Sequence, residues 1–208
     1  MTMKTALGFF LAFLASLARA ETVAPDVLVK MITDDVAAAI RKDADIRAGD
    51  TRKAADLIEA KIVPHFNFTR MARIAMARNW RSATPEQQKE IAAQFKTLLI
   101  RTYSTALTNY RDQEIDYKPL RSKPDDTEVT VKSDVKPTGA TQPVSIDYEL
   151  EKTDSGWKIY DVKVDGVSLV TTYRDTFATE VREHGIDGLI KALAAKNREP
   201  LSPKAGKS

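Results

Sequence analysis

At Glu114 the apolar residues of this 208-residue chain change their spacing, and that change limits what the chain can fold into. Before it, apolar side chains recur every three to four residues, as on one face of a helix. After it they alternate, as on one face of a strand. Strands with one apolar face need a partner layer, and the helices of the first half are the available one. The pattern therefore predicts an α+β domain with helices packed on one face of a four-stranded antiparallel sheet.

The helical half begins with 25–47, which carries Leu28, Met31, Ile32, Val36, Ala39 and Ile40 at helical spacing. Asp50 or Thr51 is placed to cap a second helix with Leu57, Ile58 and Ile62 inward, stopped near Pro64. A third runs over 67–79 with Phe68, Met71, Ala72, Ala75 and Met76. The strongest helix signal is 85–110. Thr84 stands at the N-cap, Pro85 at the first helical position and Gln87 two residues on, which makes a capping box. Ile91, Phe95, Leu98, Leu99, Tyr103, Leu107 and Tyr110 follow on one face.

In the strand half, Ile115 and Tyr117 mark a short strand. Val129, Val131 and Val135 alternate with polar residues, as do Val144, Ile146, Tyr148 and Leu150. The last strand, 157–165, is apolar on both parities, so it holds a bulge or has both faces covered. An amphipathic helix is expected over 171–184 with Tyr173, Phe177 and Val181 inward. Gly185 ends it, and a short helix over 187–195 follows.

The first twenty residues read as a secretory signal peptide. Lys4 is the positive n-region, the apolar stretch is about a dozen residues, and Ala18-Arg19-Ala20 is an A-x-A cleavage site. That stretch falls short of the roughly 20 residues needed to span a bilayer. The expected layout is a signal peptide over 1–20, one domain over 21–195 and a flexible tail over 196–208. The mature chain then begins at Glu21 and is exported. With no cysteine it must be held by packing alone, and no thiolate chemistry is open to it. Without Lys4 and Arg19, 30 basic residues stand against 29 acidic ones, a formal charge of +1, so nucleic-acid binding has no electrostatic support.

Residues for catalysis are sparse. His65 and His184 lie at helix edges with no carboxylate at metal spacing, and no G-x-S-x-G occurs. Asp161 shares parity with Trp157 and Ile159, so an inward general base on a conical fold is the enzyme alternative. A binding module that docks proteins on its apolar face is a third reading. The large apolar side chains on both layers fit a filled core or an apolar cavity equally well, and periodicity does not separate the two.

Five segments carry a resemblance. They are N-W-R-S-A-T-P-E-Q (79–87), F-K-T-L-L-I-R-T-Y-S-T-A-L (95–107), G-W-K-I-Y-D-V (156–162), D-G-V-S-L-V-T-T-Y-R-D-T-F (165–177) and G-I-D-G-L-I (185–190). In this order the chain resembles the MlaC family of periplasmic phospholipid-binding proteins, also called toluene-tolerance auxiliary components. The resemblance implies a cone of the nuclear-transport-factor type with an apolar pocket, and no enzyme activity. It implies phospholipid as cargo and no cofactor. Its implied partners are an inner-membrane Mla ABC transporter complex and an outer-membrane MlaA lipoprotein–porin complex, with outer-membrane lipid asymmetry as the outcome. The pocket is expected between the sheet and the long helix. Its expected walls are Tyr103, Leu107, Val131, Val144, Ile146, Tyr148, Val162, Val164, Val167, Leu169, Tyr173 and Phe177, with Ile159 as the alternative in the last strand.

Overall fold

A computed structural model of the chain describes residues 23–110, 112–123, 125–136 and 142–199. The expected signal peptide, residues 200–208 of the expected tail and most of the turn after Lys136 lie outside the described residues.

Helix α1 (Pro25–Lys42) starts with Pro25 in its first turn, where a missing N–H costs nothing. It ends earlier than the sequence pattern suggests, because the Asp43 carboxylate accepts from the backbone N–H groups of Asp45 and Ile46 and starts a new turn, α2 (Ala44–Arg47). Asp50 caps α3 (Thr51–Lys61) in the same way, and Asn67 caps α4 (Phe68–Met76). A 3₁₀ stretch (Ala77–Ser82) leads into α5 (Pro85–Thr108), where the Thr84–Gln87 capping box forms in both directions.

Four strands follow as a meander: β1 (Glu114–Tyr117), β2 (Glu128–Lys136), β3 (Val144–Thr153) and β4 (Gly156–Val164). A fifth, β5 (Val167–Ser168), is too short for alternation to reveal and makes the sheet five-stranded, all antiparallel, in the order β1-β2-β3-β4-β5. Helix α6 (Arg174–Arg198) joins both helical segments expected at the C-terminus and extends past residue 195. It breaks at Gly185, whose φ of 71° suits a residue without Cβ.

The doubly apolar strand β4 holds a bulge. Leu150 pairs with Ile159, but the next pair is Glu149 with Asp161, so Tyr160 is an extra residue. The bulge changes parity. Ile159, Val162 and Val164 share the inner face with Leu150, Tyr148 and Ile146, while Asp161 stands opposite Glu149. Asp161 therefore does not share the face of Ile159, as simple alternation implies.

The core is divided. Leu28, Val29 and Ile32 of α1 pack on Val129, Val131, Leu150 and Ile159 of the sheet. Helices α4, α5 and α6 bury a separate cluster that includes Met71, Met76, Ile91, Phe95, Phe177 and Leu189. Met31, expected inward on α1, is instead exposed.

Candidate functional site

The inner face of the sheet is only partly covered. Four rows of side chains cross it: Ile115–Val135–Val144, Tyr117–Ser133–Ile146–Val164, Val131–Tyr148–Val162 and Val129–Leu150–Ile159. Helix α1 lies over the sheet, and the C-terminal end of α5 stands beside it. Between them is a cavity of about 550 Å³. That lies within the roughly 300–1,000 Å³ usual for a small-molecule site.

Its roof is one face of α1: Val29, Ile32, Thr33, Val36, Ala37 and Ile40. Its floor is Ile115, Val135, Val144, Ile146, Tyr148 and Ile159. Ile62 and Phe66 line it from the segment after α3. Ala106, Leu107, Asn109, Tyr110 and Gln113 line it from the end of α5 and the chain beyond. Phe66 is fixed by its bridge to Ile159, where the Asn67 N–H donates to the Ile159 carbonyl at 2.8 Å.

None of these lining residues is a carboxylate, a lysine, an arginine or a histidine. Tyr148 is the most deeply placed hydroxyl, and burial pushes its phenol up to about 12, so it stays neutral. The wall can hold an apolar body, and its polar side chains are the hydroxyls and amides of Thr33, Asn109, Tyr110, Gln113 and Tyr148. Among the described residues no group of three His, Asp or Glu stands close enough to hold a metal ion.

The expected site residues fall into three groups. Leu107, Val144, Ile146, Tyr148 and Ile159 line the cavity. Val131 and Val162 belong to the packed core beneath α1, and Val164 shares their face of the sheet without reaching the wall. The remainder lie elsewhere. Val167 is exposed at the β4–β5 turn, and the Leu169 N–H donates to the Val162 carbonyl at 2.8 Å. Tyr103, Tyr173 and Phe177 pack in the other core. There Phe95 meets Tyr173 and Phe177 edge-on, with ring centroids 5.1 and 5.2 Å apart. The long helix α5 packs mainly in this helical core. Its first turns face α4 and α6, and only its last turn reaches the cavity.

Sequence reasoning missed the roof. The apolar period of α1 gave the helix, but nothing in that period says which layer it covers.

Asp161, the general base of the enzyme alternative, is 5% exposed and lies outside the cavity. Its Oδ1 accepts from the backbone N–H groups of Val162 at 2.8 Å and Val170 at 3.3 Å. Burial raises its pKa, and these bonds work against that rise. It pins the chain after β5 to β4. A second concavity, of about 730 Å³, lies on the other face of the sheet among Lys118, Arg121, Glu128, Thr130, Lys132, Glu149 and Tyr160. Its charges are of both signs and partly paired, as in Lys163–Glu149 at 2.6 Å, which describes a solvated groove.

Known proteins match this chain along most of its length. The chain is 22% identical over 200 residues to the intermembrane phospholipid transport system binding protein MlaC of Haemophilus influenzae, covering 95% of this chain and 94% of that one. It is 34% identical over 132 residues, 60% of each chain, to the toluene tolerance protein ttg2D of Pseudomonas putida. Among solved structures, a phospholipid-binding protein from Ralstonia solanacearum in complex with a phospholipid superposes with a TM-score of 0.78 at 44% identity. That match covers 84% of this chain and 97% of the other. The family described as MlaC protein matches residues 30–195, and by that match the chain belongs to the MlaC family.

Proposed function

We propose that this protein is a periplasmic phospholipid carrier that holds acyl chains in the cavity between α1, the end of α5 and the sheet. The observation that carries this reading is the cavity itself, about 550 Å³ with no charged side chain in its wall. The solved relative from Ralstonia solanacearum is in complex with a phospholipid, which supports the same cargo here.

The physics of transfer supports a carrier. Two acyl chains hold about 28 methylenes at ~0.8 kcal/mol each, so exposing them to water costs roughly 20 kcal/mol. A wall that replaces most of that burial brings the cost of leaving a bilayer near zero. Small differences at each docking partner then decide loading and release. The partners in this reading are an inner-membrane Mla ABC transporter complex and an outer-membrane MlaA lipoprotein–porin complex, with outer-membrane lipid asymmetry as the result. The protein needs no cofactor in this role and performs no chemistry on its cargo. Export would follow cleavage after Ala20, leaving one lipid-binding domain over 21–195.

The test is lipid analysis of protein isolated from the periplasm of a Gram-negative host. Organic extraction is expected to release diacyl phospholipid in proportion to protein, from a chain whose N-terminal residue is Glu21. Protein that yields no phospholipid, or that retains Met1, contradicts the reading.

A further inference from the structure

The cavity wall changes character along its length. Val29, Ile32, Ala37, Ile40 and Ile159 are buried, whereas Ala106 and Asn109, at the C-terminal end of α5, are exposed. A cavity whose wall reaches solvent in one place opens there. Two of its polar side chains, Asn109 and Gln113, belong to the same place.

An ion pair stands at this opening. Arg41 follows the wall residue Ile40, and Asp112 precedes the wall residue Gln113. Arg41 Nη1 donates to Asp112 Oδ1 at 3.3 Å, with the two side chains 52% and 69% exposed. Such an exposed, single-bonded pair adds little to stability. An arginine fork matches phosphate oxygens better than one carboxylate oxygen at that distance. A diacyl phospholipid in an apolar cavity must leave its phosphate at the mouth, because an unpaired charge is not tolerated among the alkyl side chains.

We propose that Arg41 is the phosphate-recognising residue of the cavity mouth, exchanging its bond to Asp112 for the phosphodiester of the bound lipid. The headgroup then lies by Asn109 and Gln113, and the chains run inward toward Phe66 and Ile159. This rests on the carrier reading and adds to it the orientation of the cargo and the residue that sets it.

Two lipids with the same chains separate the two claims. Lipid-free wild type, Arg41→Ala and Asp112→Asn are offered vesicles doped with dioleoyl phosphatidylglycerol or with dioleoylglycerol, which has no phosphate. Lipid carried into the soluble fraction is then quantified. Arg41→Ala is expected to lower phospholipid uptake about fivefold and to leave dioleoylglycerol uptake unchanged. Asp112→Asn, which removes the competing carboxylate, is expected to raise phospholipid uptake.

If the pair is only a latch, both substitutions break it and both move uptake of both lipids in one direction, which overturns the assignment. Wild type that takes up neither lipid contradicts the carrier reading and this inference with it. Wild type that takes up both, with Arg41→Ala unchanged on both, overturns the phosphate assignment alone. Inorganic phosphate titrated into lipid-free wild type is expected to give no saturable signal. A saturable signal lost in Arg41→Ala would assign the site to free phosphate and overturn the headgroup role.

Discussion

Thr33 of α1 and Tyr117 of β1 meet hydroxyl to hydroxyl across 84 residues of sequence. Thr33 also lies within hydrogen-bond reach of the carbonyls of Val29 and Lys30 in its own helix, at 3.0 and 2.9 Å. A threonine hydroxyl has one hydrogen, so Thr33 donating to its helix leaves Tyr117 as the donor to Thr33. The bond ties the roof of the cavity to the edge of its floor, and Lys30 Nζ lies 5.8 Å from the Tyr117 ring centroid beside it.

Tyr117→Phe keeps the ring and removes this bond. We expect a loss of about 1 kcal/mol in urea unfolding and faster release of bound lipid to acceptor vesicles. Unchanged release in a variant that shows the stability loss would mean that the Thr33–Tyr117 bond does not govern lipid release.

Substitutions away from the cavity should leave the lipid content unchanged, whatever they cost in stability. Phe177 is 1% exposed in the helical core, and Phe177→Ala is expected to cost about 3–5 kcal/mol. The lipid content per folded chain should nonetheless stay the same. Val167→Glu, at an exposed turn, is expected within about 0.5 kcal/mol of wild type and with full lipid content. Denaturant unfolding with lipid analysis checks both, and lipid loss in a folded Val167→Glu protein would extend the site to the β4–β5 turn.

Local chemistry in this chain was legible from sequence, and so was much of the architecture. The capping box at Thr84 and Gln87 and the Asp50 cap depend on neighbours within a few residues, and both form. Alternation in β2 and β3 gave the inner face of the sheet. It failed at β4, where one bulged residue, Tyr160, reverses parity and places Asp161 opposite Glu149. The break of the first helix depends on the Asp43 side chain turning back to cap α2, which an apolar period does not register. The cavity was the least legible part. Periodicity tells which side chains share a face, as Tyr173 and Phe177 do, but not which part of the core that face meets.

Asp161 gives a pH prediction. Burial raises its pKa above the ordinary 3.8, so the folded chain holds this proton more tightly than the unfolded chain. A carboxyl shifted upward contributes stability as pH falls through the raised value toward 3.8, and none of it at neutral pH. Asn keeps an acceptor for the Val162 and Val170 N–H groups but does not titrate. Wild type is therefore expected to gain stability relative to Asp161→Asn as pH falls through that window, with lipid content equal in both proteins. A difference that stays flat with pH, or that moves the other way, contradicts the burial argument.

Arg70 joins α4 to the outer face of the sheet. Its guanidinium bonds Glu151 at 2.5 Å and Glu128 at 2.6 Å and lies 3.6 Å from the centroid of the Tyr160 ring. Its side chain is 15% exposed, and that of Glu151 is 17% exposed. Arg70→Ala leaves two neighbouring carboxylates uncompensated and is expected to cost about 1–3 kcal/mol. Arg70→Lys should recover only part of this, because an ammonium cannot bridge both carboxylates and stack on the ring. Thermal unfolding of the two variants tests the bridge, and full recovery by Lys would reduce it to simple charge.

The most direct test of the carrier account is native mass spectrometry of wild type, Val36→Arg and Ile146→Arg, each purified from the periplasm of a Gram-negative host. The first substitution places a charge in the roof of the cavity and the second in its floor. An unpaired charge in an apolar site costs several kcal/mol. Wild type is expected at the mass of the mature chain plus a phospholipid. The two variants, folded by circular dichroism, are expected at the bare mass. Folded variants that both carry the wild-type complement of phospholipid would contradict the account.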